Sequence, residues 1–334
     1  MFKNINCKNL PSLRRNIVYQ FLYELLIVFI PLFTIPYVSR VLGAENIGLF
    51  SYTYAVANYF VLFANLGIKN YGSRTIAMVR NNKEELNRNF SEILSIHIIF
   101  SIIVIFVYLV LLFFFVEDNL VIFLIQSIYV FAAVFDINWF FFGIEKFKLT
   151  VGRNTLVKIL SVFLVLVFVK TQTDLWIYAL ILALSVFVGQ SVVWFALKQY
   201  VSWRRPSWAN MKQHIRPLFV LFLPILALSL YKYMDKIMLG SISSNVQVGF
   251  YENAEKIINV PMSLIMAFGV VLMPRIANMV TSKDKGEVFK LIDMSMEAVM
   301  LLAIAISFGL AGISFVLAPI FFGYEFEECG ILIM

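Results

Sequence analysis

Residues 93–116 read ILSIHIIFSIIVIFVYLVLLFFFV, a run of 24 residues without Asp, Glu, Lys or Arg. A helix of about 20 residues crosses the hydrocarbon core of a bilayer, so this run can span a membrane. Three further uncharged runs, at 46–68, 175–197 and 298–324, contain 23, 23 and 27 residues. The chain is 14% charged, whereas soluble domains contain about 25% charged residues. These features exclude a soluble enzyme and predict an all-α polytopic membrane protein.

The charged residues between the apolar runs mark where each span begins and ends. An outer-membrane barrel is excluded, because its strands would be about 10 residues long and would alternate in polarity. Hydropathy instead predicts nine complete spans, near 17–39, 46–68, 93–116, 119–143, 154–170, 175–197, 216–239, 246–274 and 293–323.

Lys and Arg are distributed unequally between alternate loops. Of the 27 basic residues, 22 lie at the amino terminus or near residues 69–92, 144–158, 198–216 and 275–292. Cytoplasmic loops of membrane proteins carry an excess of Lys and Arg. The pattern predicts a cytoplasmic amino terminus, and it accounts for the net charge of +7 without a nucleic-acid partner.

The sequence contains few residues of the kinds that hold metals or catalyse reactions. Its two cysteines, Cys7 and Cys329, stand at opposite ends, and its two histidines, His97 and His214, are 117 positions apart. No Gly-rich phosphate loop, nucleophile elbow or Cys-x-x-Cys pair occurs. We therefore expect no metal site, no cofactor and no enzymatic activity.

Residues of the second span recur about 200 positions later. Gly48 aligns with Gly249 and Asn58 with Asn259, both at an offset of 201. Many transporters are built from internal repeats, and an offset of six spans gives both copies the same orientation. We therefore predict two parallel six-helix repeats.

The predicted repeat divides the chain into two lobes. Residues 1–200 form the first six-helix lobe, and residues 201–334 form about three helices and the start of a fourth. Two complete copies would need more than 400 residues, so we expect that the second repeat is truncated in this sequence.

Several stretches carry a resemblance to a known family. The sequence PYVSRVLGAENIGLFSY at 36–52 is followed by NLGI at 65–68 and YGSR at 71–74. These stretches resemble the amino-terminal signature of Wzx-type flippases, the polysaccharide-biosynthesis members of the multidrug/oligosaccharidyl-lipid/polysaccharide exporter superfamily. DKIMLG at 235–240 and VGFY at 248–251 look like the start of their second half.

The resemblance implies two six-helix lobes around a central cavity in the bacterial inner membrane. Such a protein passes an undecaprenyl-pyrophosphate-linked oligosaccharide to the outer leaflet by alternating access, for O-antigen and lipopolysaccharide biosynthesis. Membrane lipid, a glycan polymerase and chain-length proteins would be its partners. The alternative is a cation-coupled multidrug exporter of the same superfamily.

Basic residues within the spans are candidates for binding the pyrophosphate. Lys232, Asp235 and Lys236 follow the i, i+3, i+4 spacing of one helix face, so Asp235 can neutralise one lysine. One alternative is that these three residues form a patch that contacts an anion. The other is that two of them form a structural ion pair, while the remaining lysine extends its side chain to the membrane–water interface. Arg40, at the end of the first span, either binds phosphate or lies at the outer interface.

Polar and aromatic residues are candidates for contacts with the sugars. The aligned Asn58 and Asn259 belong to this set, as do the aromatic residues Tyr52, Tyr54, Tyr59 and Trp139. Glu252 and Lys256 stand at i, i+4 and are predicted to form a structural ion pair.

Two acidic residues within the spans are candidates for a coupling site or for the polar cavity. Glu24 lies on the first span, and Asp136 shares a predicted helix face with Gln126, Tyr129 and Ala133. Three roles are open for each of these carboxylates. It carries a coupled proton, it accepts a hydrogen bond from the substrate, or it makes a structural polar contact between helices. An acidic cavity around both would favour the multidrug exporter.

Overall fold

A computed structural model describes the backbone of residues 10–281 and 285–334. Side chains are described within those ranges except at 10–31, 147–148, 264, 267–275 and 277–287. Glu24 therefore lies outside the residues whose side chains are described.

The described chain is built from helices joined by short connections. Short 3-10 turns occupy Gln172–Asp174 and Tyr324–Phe326. The helices are α1 Leu10–Asn65, α2 Ile68–Val79, α3 Lys83–Phe115, α4 Leu120–Val134, α5 Asn138–Gly143, α6 Phe147–Phe168, α7 Leu175–Leu197, α8 Trp208–Ile242, α9 Asn245–Thr281, α10 Lys285–Phe322 and α11 Cys329–Ile333.

Seven helical segments within the described residues are long and apolar enough to cross a membrane. They are Leu32–Val79, Lys83–Phe115, Leu120–Gly143, Leu149–Phe168, Gln172–Leu197, Trp208–Ile242 and Val288–Phe322. The nine predicted spans coincide with helices over most of their length, and two of them lie largely in α1. The prediction of an all-α polytopic membrane protein is confirmed.

Helix α1 contains the first two predicted spans, which meet at Gly43. The backbone of Gly43 has φ 77° and ψ 171°, so the helix is interrupted there. Glycine adopts a positive φ without the steric penalty that a Cβ atom would cause. The sequence prediction placed the boundary between these spans at 40–45, which agrees with the observed kink.

The predicted fourth span is divided between α4 and α5, and Asp136 lies in the turn between them. Asp136 Oδ1 accepts hydrogen bonds from the backbone N of Asn138 at 3.0 Å and from Asn138 Nδ2 at 2.7 Å. Short polar side chains that bond the backbone two residues onward compete with helix formation. The prediction that Asp136 continues a helix face with Gln126 and Tyr129 is therefore wrong.

Loops that were predicted to be cytoplasmic lie together at one end of the bundle. Arg80, after α2, forms an ion pair with Glu145, after α5, at 2.6 Å. Arg204, between α7 and α8, pairs with Glu84 of α3 at 2.8 Å. These contacts join three of the basic segments, and we call this end of the bundle the basic end.

Connections of the alternate set meet at the opposite end. The backbone N of Ala44 donates to Glu325 Oε1 at 2.8 Å, and Asn46 Nδ2 donates to the carbonyl of Gln172 at 3.1 Å. The grouping of the connections matches the alternation that the charge pattern predicts. The cytoplasmic orientation of the basic end stays a prediction.

The backbones of the two predicted lobes approach each other closely where α1 meets α9, near this second end. A Cβ atom built on Gly48 would lie 1.6 Å from the carbonyl oxygen of Asn245, and one built on Gly249 would lie 2.1 Å from that of Ala44. Both pairs, Gly48 with Gly249 and Ala44 with Asn245, are separated by 201 residues. This reciprocity supports the predicted duplication, which stays a prediction.

Candidate functional site

A cluster of four charged side chains lies between α8 and α9. Lys236 Nζ is 2.6 Å from Glu252 Oε2 and 2.7 Å from Glu255 Oε2. Lys236 is buried, with 8% of its surface exposed. A charge in a membrane interior is costly unless it is paired, and the two carboxylates supply that pairing.

Lys256 completes the cluster from the next turn of α9. Its Nζ lies 3.1 Å from Glu252 Oε1, and the two residues are four apart on the helix. The predicted pair between Glu252 and Lys256 is confirmed. Two lysines and two glutamates have no formal net charge together; Glu252 contacts both lysines, and Glu255 contacts Lys236.

Lys256 and Glu252 lie at the wall of a cavity of about 600 Å³, which we call the central cavity. The cavity is bounded by α1, α4, α6, α7 and α9. Its polar lining residues are Tyr54, Tyr129, Arg153, Asn154, Lys158, Ser161, Tyr178, Ser185, Gln190, Glu252 and Lys256. Three basic side chains and three tyrosines therefore line one space.

A smaller cavity of about 70 Å³ adjoins the central one. The two cavities share Phe50, Tyr178, Leu182 and Lys256 in their walls. Lys256 therefore lies at the junction of both spaces.

A hydrogen-bond network fixes Arg153 at the wall of the central cavity. Arg153 donates through one terminal nitrogen to the carbonyl of Gly189 at 2.7 Å and through the other to Asn138 Oδ1 at 3.1 Å. Asn138 Nδ2 in turn donates to Asp136 and, at 2.9 Å, to Gln190 Oε1. Asp136 thus orients Asn138, which helps to position the guanidinium.

The predicted basic candidates are not brought together at this cavity. Arg40 is exposed and donates to the carbonyl of Ile320 at 2.5 Å, at the end opposite the basic loops. Lys232 is exposed on α8, with its Nζ 5.6 Å from the centre of the Tyr233 ring. Of the three lysines and arginines predicted to bind the anion, Lys236 alone belongs to the four-residue charge cluster.

Asp235 has a different partner from the one that the sequence suggested. Its Oδ2 accepts a hydrogen bond from the Tyr251 hydroxyl at 2.7 Å, while the carboxylates beside Lys236 come from α9. The expectation that Asp235 neutralises one of the neighbouring lysines is wrong. A residue one position earlier on a helix points about 100° away, which directs Asp235 to another part of α9.

The other polar and aromatic candidates are dispersed. Asn58 Nδ2 donates to the carbonyl of Tyr54 on its own helix at 2.9 Å, and Asn259 is exposed on α9. Trp139 is buried in a core and stacks on Phe90 with a centroid distance of 5.6 Å. Of the aromatic candidates for sugar contact, Tyr54 lines the central cavity.

Sequence reasoning missed Arg153, Gln190 and Glu255. The charge pattern assigns Arg153 to the basic segment 144–158, whose lysines and arginines are expected to set the topology. The segment YENAEK at 251–256, with three charged residues in six, was the available signal for Glu255. Gln190 in the run 175–197 carried no comparable signal.

The fold and the central cavity define a polytopic α-helical membrane protein with a cavity lined by charged side chains. The sequence profile of the family "Polysaccharide biosynthesis protein" matches residues 13–280. The chain belongs to this family.

Two curated relatives cover nearly the whole chain. A protein of Escherichia coli (strain K12) with the name "Putative O-antigen transporter" is 27% identical over 333 residues, which are 98% of this chain and 79% of that protein. A protein of Shigella dysenteriae with the same name is 24% identical, over 95% of this chain and 80% of that protein. No solved structure matches the chain at a significant level. The relatives are named as transporters, in agreement with the expectation that the chain is not an enzyme.

Proposed function

We propose that this protein translocates an undecaprenyl-pyrophosphate-linked oligosaccharide across the bacterial inner membrane. The product would be used for a surface polysaccharide such as O-antigen. Membership of a polysaccharide biosynthesis family and the names of the two relatives support transport of this class of molecule. The chemistry of the central cavity supports the lipid-linked, pyrophosphate-bearing form of the substrate.

The observation that carries the proposal is the position of Lys256 in the wall of the central cavity, with Arg153 and Lys158 in the same wall. A pyrophosphate needs several charge-assisted hydrogen bonds, and lysine and arginine provide them. Tyrosine rings and hydroxyls suit sugars, which present both apolar faces and polar edges. Tyr54, Tyr129 and Tyr178 are placed to make such contacts.

Lys256 has a feature that suits reversible binding. Its carboxylate partner Glu252 is also held by Lys236, so Glu252 keeps a countercharge when Lys256 turns toward a phosphate. The bound anion would therefore take Lys256 away from Glu252. Glu252 would keep its contact with Lys236, so its charge would not be left unpaired in the membrane. Release of the anion would restore the original pair.

The placement of the cavity supports alternating access. Arg153 stands in the first half of α6, which begins at the basic end, and Lys158 is at its middle, whereas Gly48 and Gly249 are in close contact near the other end. We infer that the structure is closed at the end opposite the basic loops. Transport would then require α1 and α9 to separate there.

The multidrug-exporter alternative needs an acidic cavity that could accept an organic cation. Glu252, the acidic residue in the wall of the central cavity, is paired with two lysines. The charge distribution therefore favours an anionic substrate.

The proposal is tested with Lys256→Gln in cells whose own copy of the gene carries the change. Surface polysaccharide and the amount of protein in the membrane are measured together. Loss of one charge-assisted contact should lower export by roughly tenfold or more. Protein abundance should stay near normal, since Glu252 keeps its ion pair with Lys236. Lys198→Gln, on an exposed basic loop, is the matched control and should leave export unchanged.

A direct measurement separates substrate binding from later steps in the cell. Purified protein is mixed with undecaprenyl pyrophosphate, and the bound fraction is measured by native mass spectrometry. Weaker binding by Lys256→Gln and Arg153→Gln, but not by Lys198→Gln, is expected. Normal export and normal binding by both cavity variants would overturn the proposed site.

A further inference from the structure

Helix α2 is amphipathic and lies at the basic end of the bundle. Its residues Ile68, Gly72, Thr75 and Ile76 are buried along one face, and Arg74 and Met78 are exposed on the other. Amphipathic helices with basic polar faces are typical of membrane–water interfaces, where anionic lipid head groups are within reach. The exposed side of α2 is therefore a candidate surface for contact with lipid head groups.

A cavity of about 590 Å³, which we call the lateral cavity, lies beside α2, α3 and α8. Arg74 of α2 and Arg88 of α3 both line it and are exposed. Within the described part of the chain, neither guanidinium has an ion-pair or hydrogen-bond partner. By contrast, Arg80 and Arg204, on the same end of the bundle, are both paired with glutamates.

The inner wall of the lateral cavity is rigidly organised. Tyr71 and His214 both line the cavity, and the Tyr71 hydroxyl lies 2.6 Å from His214 Nδ1. His214 Nε2 lies 3.0 Å from Glu92 Oε2, and Asn210 Nδ2 donates to the other oxygen of Glu92 at 3.0 Å. His214 is 3% exposed and Glu92 is 1% exposed. A buried polar network of this kind holds the cavity wall in one arrangement.

The outer rim of the lateral cavity is apolar and exposed. Met78 and Val220 line it and are 68% and 58% exposed. In a membrane-spanning protein, exposed apolar side chains beside basic ones match the boundary between lipid tails and head groups. The cavity therefore combines positive charge, a fixed polar wall and a lipid-facing apolar edge.

We propose that the lateral cavity binds an anionic phospholipid of the leaflet on the basic side of the membrane. Arg74 and Arg88 contact the phosphate, Tyr71 and His214 form the wall beneath it, and an acyl chain lies along Met78 and Val220. The two unpartnered arginines complement a phosphate, and the apolar edge lies beside them. No lining residue is shared with the central cavity, so this inference does not depend on the proposed function.

The test uses the purified chain in detergent, titrated with a palmitoyl-oleoyl phosphatidylglycerol or with the matching phosphatidylcholine. Native mass spectrometry measures the lipid-bound fraction at each concentration. The chain should retain phosphatidylglycerol more strongly than phosphatidylcholine. Arg74→Gln combined with Arg88→Gln should weaken phosphatidylglycerol binding by about tenfold or more, because each basic residue near a head group contributes to anionic lipid binding.

Lys198→Gln combined with Arg205→Gln is the charge-matched control, since both residues are exposed outside the lateral cavity on the same end. It should bind phosphatidylglycerol as the unchanged chain does. A second variant serves if Arg74→Gln with Arg88→Gln aggregates. Arg74→Lys with Arg88→Lys keeps both charges, since lysine preserves the point charge. Its affinity for phosphatidylglycerol should be within about threefold of that of the unchanged chain.

Four results would overturn the proposal. The first is equal retention of the two lipids, and the second is an equal loss in the control. The third is that Arg74→Gln with Arg88→Gln loses undecaprenyl pyrophosphate binding and keeps phosphatidylglycerol binding unchanged. That result would assign the lateral cavity to the transported lipid instead. Loss of binding by the lysine pair would also overturn the role given to charge.

Discussion

At the scale of single residues, the buried ammonium of Lys236 sets the arrangement between α8 and α9. It contacts both Glu252 and Glu255, and removal of one member of a buried ion pair leaves the remaining charge without compensation. Such a loss costs about 3–5 kcal/mol. Lys236→Met should therefore lower the thermal unfolding midpoint in detergent and reduce the amount of protein in the membrane.

The compensating double change separates a structural role from a transport role. Lys236→Met with Glu255→Gln keeps the local charge balanced, because Glu252 still has Lys256 as its partner. The double variant should recover most of the thermal stability. An unchanged unfolding midpoint in the single variant would show that the ion pairs do not stabilise this region.

At the scale of helices, the contact between α1 and α9 depends on two glycines. A Cβ atom on Gly48 or Gly249 would overlap a backbone carbonyl of the other helix, at 1.6 Å or 2.1 Å. Since backbone atoms cannot turn aside as a flexible side chain can, the helices would have to separate. Gly48→Ala and Gly249→Ala should each lower the unfolding midpoint, at a cost of about 1–3 kcal/mol for overpacking.

Gly309 of α10 is the matched control for these two variants. Apart from its two chain neighbours and its own helix backbone, no heavy atom of the described residues lies within 4 Å of a Cβ built there. Gly309→Ala should leave stability unchanged or raise it by about 0.5–1 kcal/mol, because alanine is the better helix former. Equal effects at Gly48 and Gly309 would contradict the close contact between α1 and α9.

At the scale of the whole molecule, the connections between helices gather at two opposite ends. Ion pairs join residues 80, 84, 145 and 204 at the basic end. Single cysteines at Lys83 and Arg204 should therefore resist a membrane-impermeant thiol reagent added to intact cells. A cysteine at Asp118 should react, since it lies in a connection of the alternate set.

The labelling experiment needs a background in which Cys7 and Cys329 are replaced by serine. Permeabilised cells are the control, because the cysteines at 83 and 204 should then react as fast as the one at 118. Labelling at 83 and 204 but not at 118 in intact cells would reverse the predicted orientation of the whole chain.

The sequence alone determined the fold class, the positions of the helical segments and the grouping of the loops. These properties depend on composition over windows of about 20 residues and on the sign of the charge at their ends. The pair between Glu252 and Lys256 was also predictable, because one helical turn fixes the distance between residues four apart. Tyr54 is among the candidates for sugar contact and lines the central cavity, but hydropathy did not distinguish it from the buried Trp139.

Only the tertiary structure decided which side chains from different helices meet. Lys236 pairs with residues 16 and 19 positions away, on the neighbouring helix, while the adjacent Asp235 accepts from Tyr251. Arg153 faces the central cavity because α6 packs with that side toward α7. Hydropathy sets how deeply a helix is buried but does not set its rotation against its neighbours. That rotation comes from close packing and interhelical hydrogen bonds, which are formed when the bundle assembles.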